Sequence, residues 1–255
     1  QEGIWTKFVE LKPKSANMYA TNMIAKLQAM MNGIGALSYT TRKGEVKDIS
    51  RFERYAFNLL SDGNSNAKTR KNTRATKILY LSPASKSGVN FCPNATPGCI
   101  WSCLNTAGRG VMANVQNARF DRSQFIINFE KMFLEKVAID IKRLVKNKAK
   151  NGEEVCVRLN GTSDIPMVEM LHKNGLLKDI PTNVIFYDYT KFPQKAGKYK
   201  IGKHNYYVTW SHAEDYYDKA TGQMVYNWKT SMQMLEKGNC VAVVFLGRLP
   251  NYWYV

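Results

Sequence analysis

Residues 77–103 read KILYLSPASKSGVNFCPNATPGCIWSC. The first six, 77–82, have the length and apolar content of a buried strand. The rest is rich in proline, glycine and small polar residues, which favour tight turns, and it holds Cys92, Cys99 and Cys103. A buried strand followed by such a loop predicts an α/β sheet with a functional loop at the carboxyl end of its first strand.

Short apolar runs alternate with helical patterns along the chain. Strands are predicted at 77–82, 155–159, 184–187, 206–210 and 241–245, and helices at 111–148 (broken near Ser123), 167–174 and 227–237. This alternation favours a parallel sheet, either open or curled into a partial barrel. Two further helices are predicted at 15–33 and 49–63. We therefore expect an N-terminal helical segment at 1–65 and an α/β domain at 66–255, packed as one unit.

The chain is strongly basic, with 37 Lys and Arg against 20 Asp and Glu and a formal net charge of +17. This excess favours a polyanionic partner, DNA or RNA, although a basic surface can also serve solubility alone. The candidate anion-binding residues are Lys68, Arg70, Lys71, Arg109, Arg119 and Arg122. Neither a membrane-spanning apolar run nor a secretory signal is visible, so we expect a cytoplasmic protein without a membrane partner.

Small or polar residues follow each of the five predicted strands. Because parallel strands end on the same edge of a sheet, these residues predict one site. The candidate catalytic residues are Asp164, Asp188, Lys191 and His212, and the candidates for binding a cofactor or substrate are Asn160, Thr162, Ser163 and Ser211. The alternative is that Thr162, Ser163 and Asp164 only cap the next helix.

The three loop cysteines are spaced Cys-x6-Cys-x3-Cys. Thiolates are soft ligands, so this loop could hold an iron–sulfur cluster with one open iron, or a zinc ion completed by His204 or His212. Three reduced thiols without metal are the alternative. A disulfide framework is not expected in a chain of this length without signs of export. Cys156 and Cys240 lie in apolar runs and are expected to be buried.

Several segments, in this order, resemble the gene-product-eighty-eight family of mainly bacteriophage proteins. They are NAKT (66–69), YLSPASKSGVNFCPNATPGCIWSCLNTAGRG (80–110), VQNARFDR (115–122), RLNGTSD (158–164), FYDYTK (186–191), YYVTWS (206–211) and NCVAVVF (239–245). The resemblance implies no particular activity. It implies a phage protein of the host cytoplasm, and a shortened one, because family members continue further at the C-terminal end.

A looser similarity links the loop to radical S-adenosylmethionine enzymes, which place three cluster cysteines after the first strand of a partial barrel. Their usual spacing, Cys-x3-Cys-x2-Cys, differs from the spacing found here. The similarity implies an iron–sulfur cluster with S-adenosylmethionine as a second cofactor.

Three functional hypotheses follow from these patterns. The leading one is an enzyme with a metal or iron–sulfur site at the sheet edge, acting on a nucleic acid or a nucleotide-like anion. The second is a non-catalytic, basic nucleic-acid-binding protein with a structural zinc or no metal. The third is a metal-dependent nuclease that uses Asp164, Asp188, His212 and Glu214.

Overall fold

The computed structural model describes residues 38–40, 46–48, 58–63, 73–149 and 152–243. The strands are β1 Ser38–Thr40, β2 Val46–Asp48, β3 Ser61–Asp62, β4 Thr76–Ile78, β5 Val155–Arg158, β6 Val184–Thr190, β7 Gly197–Ile201, β8 His204–Ser211, β9 Tyr216–Asp218, β10 Gln223–Val225 and β11 Val241–Ala242. The helices are α1 Pro97–Trp101, α2 Ala113–Asn128, α3 Glu130–Lys148, α4 Met167–Lys173 and α5 Asn227–Glu236.

The central sheet has the strand order β11-β8-β6-β5-β4-β3, and β7 pairs with β8. Strands β4, β5, β6, β8 and β11 run parallel, whereas β3 and β7 are antiparallel to their neighbours. The five parallel strands are those predicted from the apolar runs, so the α/β class and the parallel sheet are confirmed. Within the described residues the sheet is open, with β3 and β11 as its ends.

The core lies between the sheet and the helices α2, α3 and α4. On α3, Phe133, Val137 and Ile141 follow each other at helical spacing and are fully buried, as is Val157 on β5. Truncating a buried phenylalanine in such a core costs about 3–5 kcal/mol. This packing fixes α3 against β5 and thereby fixes the positions of the parallel strand ends.

The segment before β4 is tied to α3 by a buried ion pair. The ammonium of Lys136 donates to Oδ1 of Asp140, and Oδ2 of Asp140 accepts the backbone N–H groups of Leu59 at 2.6 Å and Leu60 at 3.0 Å. Both leucines belong to the same hydrophobic core as the sheet. The expected domain boundary near residue 65 stays a prediction.

Three elements differ from the sequence-based expectations. The long helix breaks at Phe129 (φ −141°, ψ 52°) rather than near Ser123, whose buried hydroxyl accepts a hydrogen bond from the backbone of Ser82. The predicted helix 49–63 is wrong at its end, because β3 pairs there with β4. The β1–β2 hairpin lies in the region predicted to be mainly helical. The predicted helix 15–33, residues 49–57 and residues 244–245 of the last predicted strand lie outside the described residues.

None of the helices in the described parts of the chain combines the length and the apolar character that a membrane crossing requires.

Candidate functional site

The stretch 83–103, which we call the cysteine loop, follows the first parallel strand, β4. The backbone N–H of Cys92 is accepted by Oδ1 of Asn90 at 2.9 Å, and its thiol lies 3.6 Å from the carbonyl of Thr162. Cys99 lies in α1, where its N–H is capped by the hydroxyl of Thr96 at 3.1 Å. Cys103 follows α1 and its sulfur accepts the N–H of Asn105 at 3.4 Å. The loop is therefore held by local caps and by the turn after β5.

The loop thiols share one electrostatic environment. All five cysteines are free thiols. Burial, together with the charges of Cys103, Cys99 and Asp164, raises the pKa of Cys92 to about 11, against the lowering effect of a backbone hydrogen bond with Ala84. Burial also raises the pKa of Cys99, while the nearby ammonium of Lys191 lowers it. Ionising one of these thiols therefore makes ionising the next one harder.

The side chains expected to bind a metal are not arranged as a coordinating group in the described residues. Among the described residues, no group of three or more His, Cys, Asp or Glu side chains is arranged to hold a metal ion. His204, an expected fourth ligand, starts β8 at the opposite end from the carboxyl edge. It is fully buried, with Nε2 3.0 Å from the carbonyl of Ile180. His204 lies on the buried face of β8, so its side chain packs inside the protein instead of reaching the cysteine loop.

Asp188, at the centre of β6, is the most buried carboxylate of the predicted set, with an exposure of 2%. It accepts the backbone N–H of Asn160 at 2.8 Å, the Nδ2 of Asn160 at 3.2 Å and the hydroxyl of Tyr206 at 3.0 Å. Burial nevertheless raises its pKa to about 6, against the lowering effect of Arg158. Asp188 therefore changes its protonation state near pH 6.

Asp164 and Lys191 form a second set at the ends of β5 and β6. Asp164 accepts the hydroxyl of Thr190 at 3.0 Å and the backbone N–H of Lys191 at 2.8 Å, while burial raises its pKa. The Lys191 ammonium donates to the carbonyls of Ser211 and His212, each at 2.7 Å, and to the Ser211 hydroxyl at 3.1 Å. All three of its protons are used, so Lys191 joins β6 to β8 rather than facing a ligand.

The other predicted polar residues also bond within the protein. Thr162 donates to the carbonyl of Leu81 at 2.5 Å, and Ser163 donates to Oδ1 of Asn160 at 2.9 Å. His212 lies 2.9 Å from the hydroxyl of Ser231, and burial lowers its pKa. These contacts assign Thr162 and Ser163 to positioning the turn after β5 against the loop.

The turn after β5 also approaches the end of β4 closely. The N–H of Gly161 donates to the carbonyl of Leu79 at 2.8 Å. A Cβ at this position would lie 2.6 Å from that oxygen, so glycine permits the contact. This close approach brings the turn after β5 next to the start of the cysteine loop.

Glu214, which follows β8, clamps the cysteine loop. Its Oε2 accepts the hydroxyl of Thr96 at 2.8 Å, and its Oε1 accepts the backbone N–H of Gly98 at 2.6 Å. A Cβ on Gly98 would lie 2.6 Å from this carboxylate. The carboxylates expected of a nuclease, Asp164, Asp188 and Glu214, thus belong to three separate hydrogen-bond sets.

The predicted arginines divide into buried and exposed members. Arg119 has an exposure of 8%, donates to Oδ1 of Asn105 at 2.5 Å and lies 5.4 Å from the Tyr80 ring. Arg122 is half-buried on the same helix, whereas Arg109 is exposed. Lys68, Arg70 and Lys71 lie outside the described residues. Arg119 therefore stabilises the turn that contains Asn105, whereas Arg109 is exposed to solvent.

Comparison with known proteins decides the family. A family model described as gene product 88 matches residues 58–248. The chain belongs to the gene product 88 family. No curated protein and no solved structure matches it. The resemblance to this phage-associated family is thus confirmed, whereas the looser similarity to radical S-adenosylmethionine enzymes gains no support.

The part of the chain that matches the gene product 88 family contains every described site residue, from Cys92 to Glu214. It also contains a water-sized cavity of about 10 Å³ beside Asp188 that the sequence did not predict. Its polar lining includes Glu169, Tyr199 and Tyr206. Tyr206 could have been predicted as a site residue. It is buried on β8, and a buried tyrosine hydroxyl needs a hydrogen-bond partner.

The two cysteines outside the loop differ from the expectation. Cys156 on β5 is half-buried and Cys240 is exposed, although both were expected to be buried. Cys240 precedes β11, the end strand of the sheet, so no further described strand covers it. Both thiols lie outside the loop and serve as controls for experiments on it.

Proposed function

We propose that Cys92, Cys99 and Cys103 bind a metal centre, either an iron–sulfur cluster or zinc, and that this centre serves an enzyme acting on a nucleic acid or nucleotide-like anion. The observation that carries the proposal is the coupling of three free thiols in one loop after a parallel strand. Ligands of α/β proteins bind at this edge of the sheet.

The chemistry of the thiols fits a cationic centre. With a pKa of about 11, Cys92 is protonated at neutral pH when no cation is bound. A metal ion deprotonates a coordinating thiol and cancels the mutual repulsion of neighbouring thiolates. The N–H of Asn105 already points at the sulfur of Cys103, as N–H groups do around sulfur ligands.

The side chains need to rotate for this centre to form, because they do not form a coordinating group as they stand. Cys99 lies in the short helix α1, whereas Cys92 and Cys103 lie outside it, and all three side chains are half-buried. Three protein ligands would leave one position of a tetrahedral ion or one iron of a cluster open. That open position would supply Lewis-acid or electron-transfer chemistry, and the surrounding chain would orient the substrate.

Metal analysis of the anaerobically purified chain tests the proposal. We expect zinc or iron with sulfide in the wild type, and a visible absorbance band if the centre is a cluster. Cys92→Ser, Cys99→Ser and Cys103→Ser should each lose most of the metal. The matched controls Cys156→Ser and Cys240→Ser should retain it, because these thiols lie elsewhere. Equal metal content in all five variants, or none in the wild type after anaerobic reconstitution, contradicts the proposal.

A non-catalytic nucleic-acid-binding protein is the second candidate, and the net charge of +17 favours it. Salt-dependent binding of nucleic acid that is unchanged by chelation and by the three cysteine variants would support this candidate over the enzyme.

A further inference from the structure

Five large apolar side chains are exposed in the segment that carries Cys99 and Cys103. Trp101 is 86% exposed, Leu104 61% and Val111 60%. Ile100 and Met112 are exposed beside them in sequence. We call these five residues the apolar platform. All five lie within residues 100–112. Exposed apolar side chains concentrated in this way mark an interaction site, whereas single exposed residues need no explanation.

The platform rests on a tightly bonded backbone. Asn105 is fully buried under it and accepts the guanidinium of Arg119. Gln116 donates to the carbonyls of Asn105 at 2.5 Å and Gly110 at 2.6 Å, which joins the turn that carries Leu104 to the turn that carries Val111. The backbone that carries Leu104 is therefore held next to the backbone that carries Val111.

The charge of this region indicates which partner covers it. Between Asp62 and Asp121 the sequence has no Asp or Glu, but it has eight Lys and Arg. The exposed Arg109 lies within the platform's own span, between Leu104 and Val111. The carboxylate that reaches this segment, Glu214, is held by Thr96 and Gly98. Exposed apolar side chains on a segment whose own charges are all cationic suit a partner that is both flat and anionic.

We infer that the apolar platform binds single-stranded DNA or RNA, with the Trp101 ring stacked on an unpaired base and Arg109 paired with a phosphate. Aromatic stacking combined with cationic side chains is how proteins hold single strands without reading their sequence. A duplex hides its base faces, so it offers the indole no stacking surface. This inference rests on the proposed function, in which the substrate is a nucleic acid or a nucleotide-like anion. It specifies that the nucleic acid is single-stranded and that Trp101 contacts it.

Fluorescence anisotropy with labelled oligonucleotides of about 20 nucleotides tests the inference. The probes are oligo-dT, oligo-U and a mixed-sequence duplex, each titrated with the full chain. We expect tighter binding of a single strand than of the duplex. Comparison of oligo-dT with oligo-U then shows whether the preferred single strand is DNA or RNA. Trp101→Ala should weaken that binding about tenfold, because one stacked base is lost. Trp101→Phe keeps an aromatic face and should retain most of the affinity.

Two controls separate stacking from other effects. Ile127→Ala removes an exposed apolar side chain from the far end of α2 and should leave binding unchanged. The plot of log affinity against log salt has a negative slope, and Arg109→Ala should make that slope less steep by about 0.7. Trp101 is exposed, so its loss should leave the circular dichroism spectrum and the melting temperature unchanged.

The outcomes distinguish this inference from the metal proposal. Trp101-dependent binding by a chain that takes up no metal on anaerobic reconstitution upholds the platform and contradicts the metal centre. Bound metal without single-strand binding overturns the platform alone. Equal affinities of the wild type and Trp101→Ala overturn it, as does preference for the duplex. Dimerisation that Trp101→Ala abolishes also overturns it, because a second copy would then be the occupant.

Discussion

The backbone amide of Gly98 donates a 2.6 Å hydrogen bond to Oε1 of Glu214, a residue 116 positions later in the chain. The other carboxylate oxygen accepts the Thr96 hydroxyl, which also caps α1. The cysteine loop, which leaves β4, is thus attached to the residue that follows β8. Between these two strands lie β5 and β6, so the contact joins distant strands along one edge of the sheet.

Glu214→Ala should destabilise the protein by about 1 kcal/mol, because it removes two hydrogen bonds to a charged but exposed acceptor. Loosening α1 should also make Cys99 react faster with iodoacetamide. Urea unfolding and peptide mass spectrometry measure the two effects. Glu214→Gln keeps an acceptor for Gly98, so its unfolding free energy should lie between those of the wild type and Glu214→Ala. Glu236→Ala changes a residue at an exposed helix end and should match the wild type. An unchanged unfolding free energy in Glu214→Ala would contradict the clamp.

The pKa of Asp188 predicts an unusual pH dependence of stability. This pKa is about 6 in the folded protein against 3.8 for an ordinary aspartate. Between these values the folded chain holds a proton that the unfolded chain has lost, so stability falls as pH rises. The full effect is roughly 3 kcal/mol.

Asp188→Asn should therefore gain stability relative to the wild type as the pH rises from about 4 to 7, by up to roughly 3 kcal/mol. Urea unfolding at several pH values measures this difference. Asp179→Asn, which removes a carboxylate that is 73% exposed, should follow the wild-type curve. A constant difference between Asp188→Asn and the wild type across this range would show that Asp188 is ionised normally.

Lys191→Met should cost about 1–3 kcal/mol, because the carbonyls of Ser211 and His212 lose their donor at a half-buried position. It should also slow the alkylation of Cys99, because Lys191 lowers the pKa of that thiol. Lys200→Met removes an exposed lysine of β7 and serves as the control. Faster alkylation of Cys99 in Lys191→Met, at unchanged stability, would argue against the electrostatic contact.

In the metal-free protein, Cys240 should be alkylated well before Cys92 at pH 7.5. Cys240 is exposed, whereas Cys92 has a pKa of about 11 and is protonated at this pH. The rate at Cys92 should keep rising up to about pH 11, which peptide-resolved mass spectrometry after timed labelling can follow. In guanidinium chloride the two sites should react alike. Equal rates in the folded protein would mean that Cys92 is not protected by burial.

The sequence predicts the parallel strands well because each is a short apolar run, and in β4, β5, β6 and β8 alternate residues of the run are buried. Strand β7 has no such run. Its residues GKYKI are mostly exposed, so nothing in its apolar pattern marks it as a strand. The helix break at Phe129 was also misplaced. Phe129 belongs to the hydrophobic core, and packing against residues distant in sequence leaves no local signature at the break.

The site was predicted as a set of residues but not as a set of contacts. Asp164 and Lys191 do follow the ends of their strands, since strand direction fixes this, whereas β6 continues through Asp188 to Thr190 and places Asp188 inside the strand. Their partners are not readable, because Tyr206 and Thr190 approach only when strands distant in sequence pair. Arg119 shows the limit most clearly: a basic residue expected to meet an anion instead donates to Asn105 inside the fold.

The long-range attachment of Gly98 to Glu214 also constrains the order of folding. A loop closed over 116 residues gains its contact only after the intervening chain has become ordered. The three thiols therefore reach their final arrangement after β8 has joined the sheet. During synthesis, a chain that has emerged only as far as β6 carries all three cysteines without the carboxylate that holds their loop.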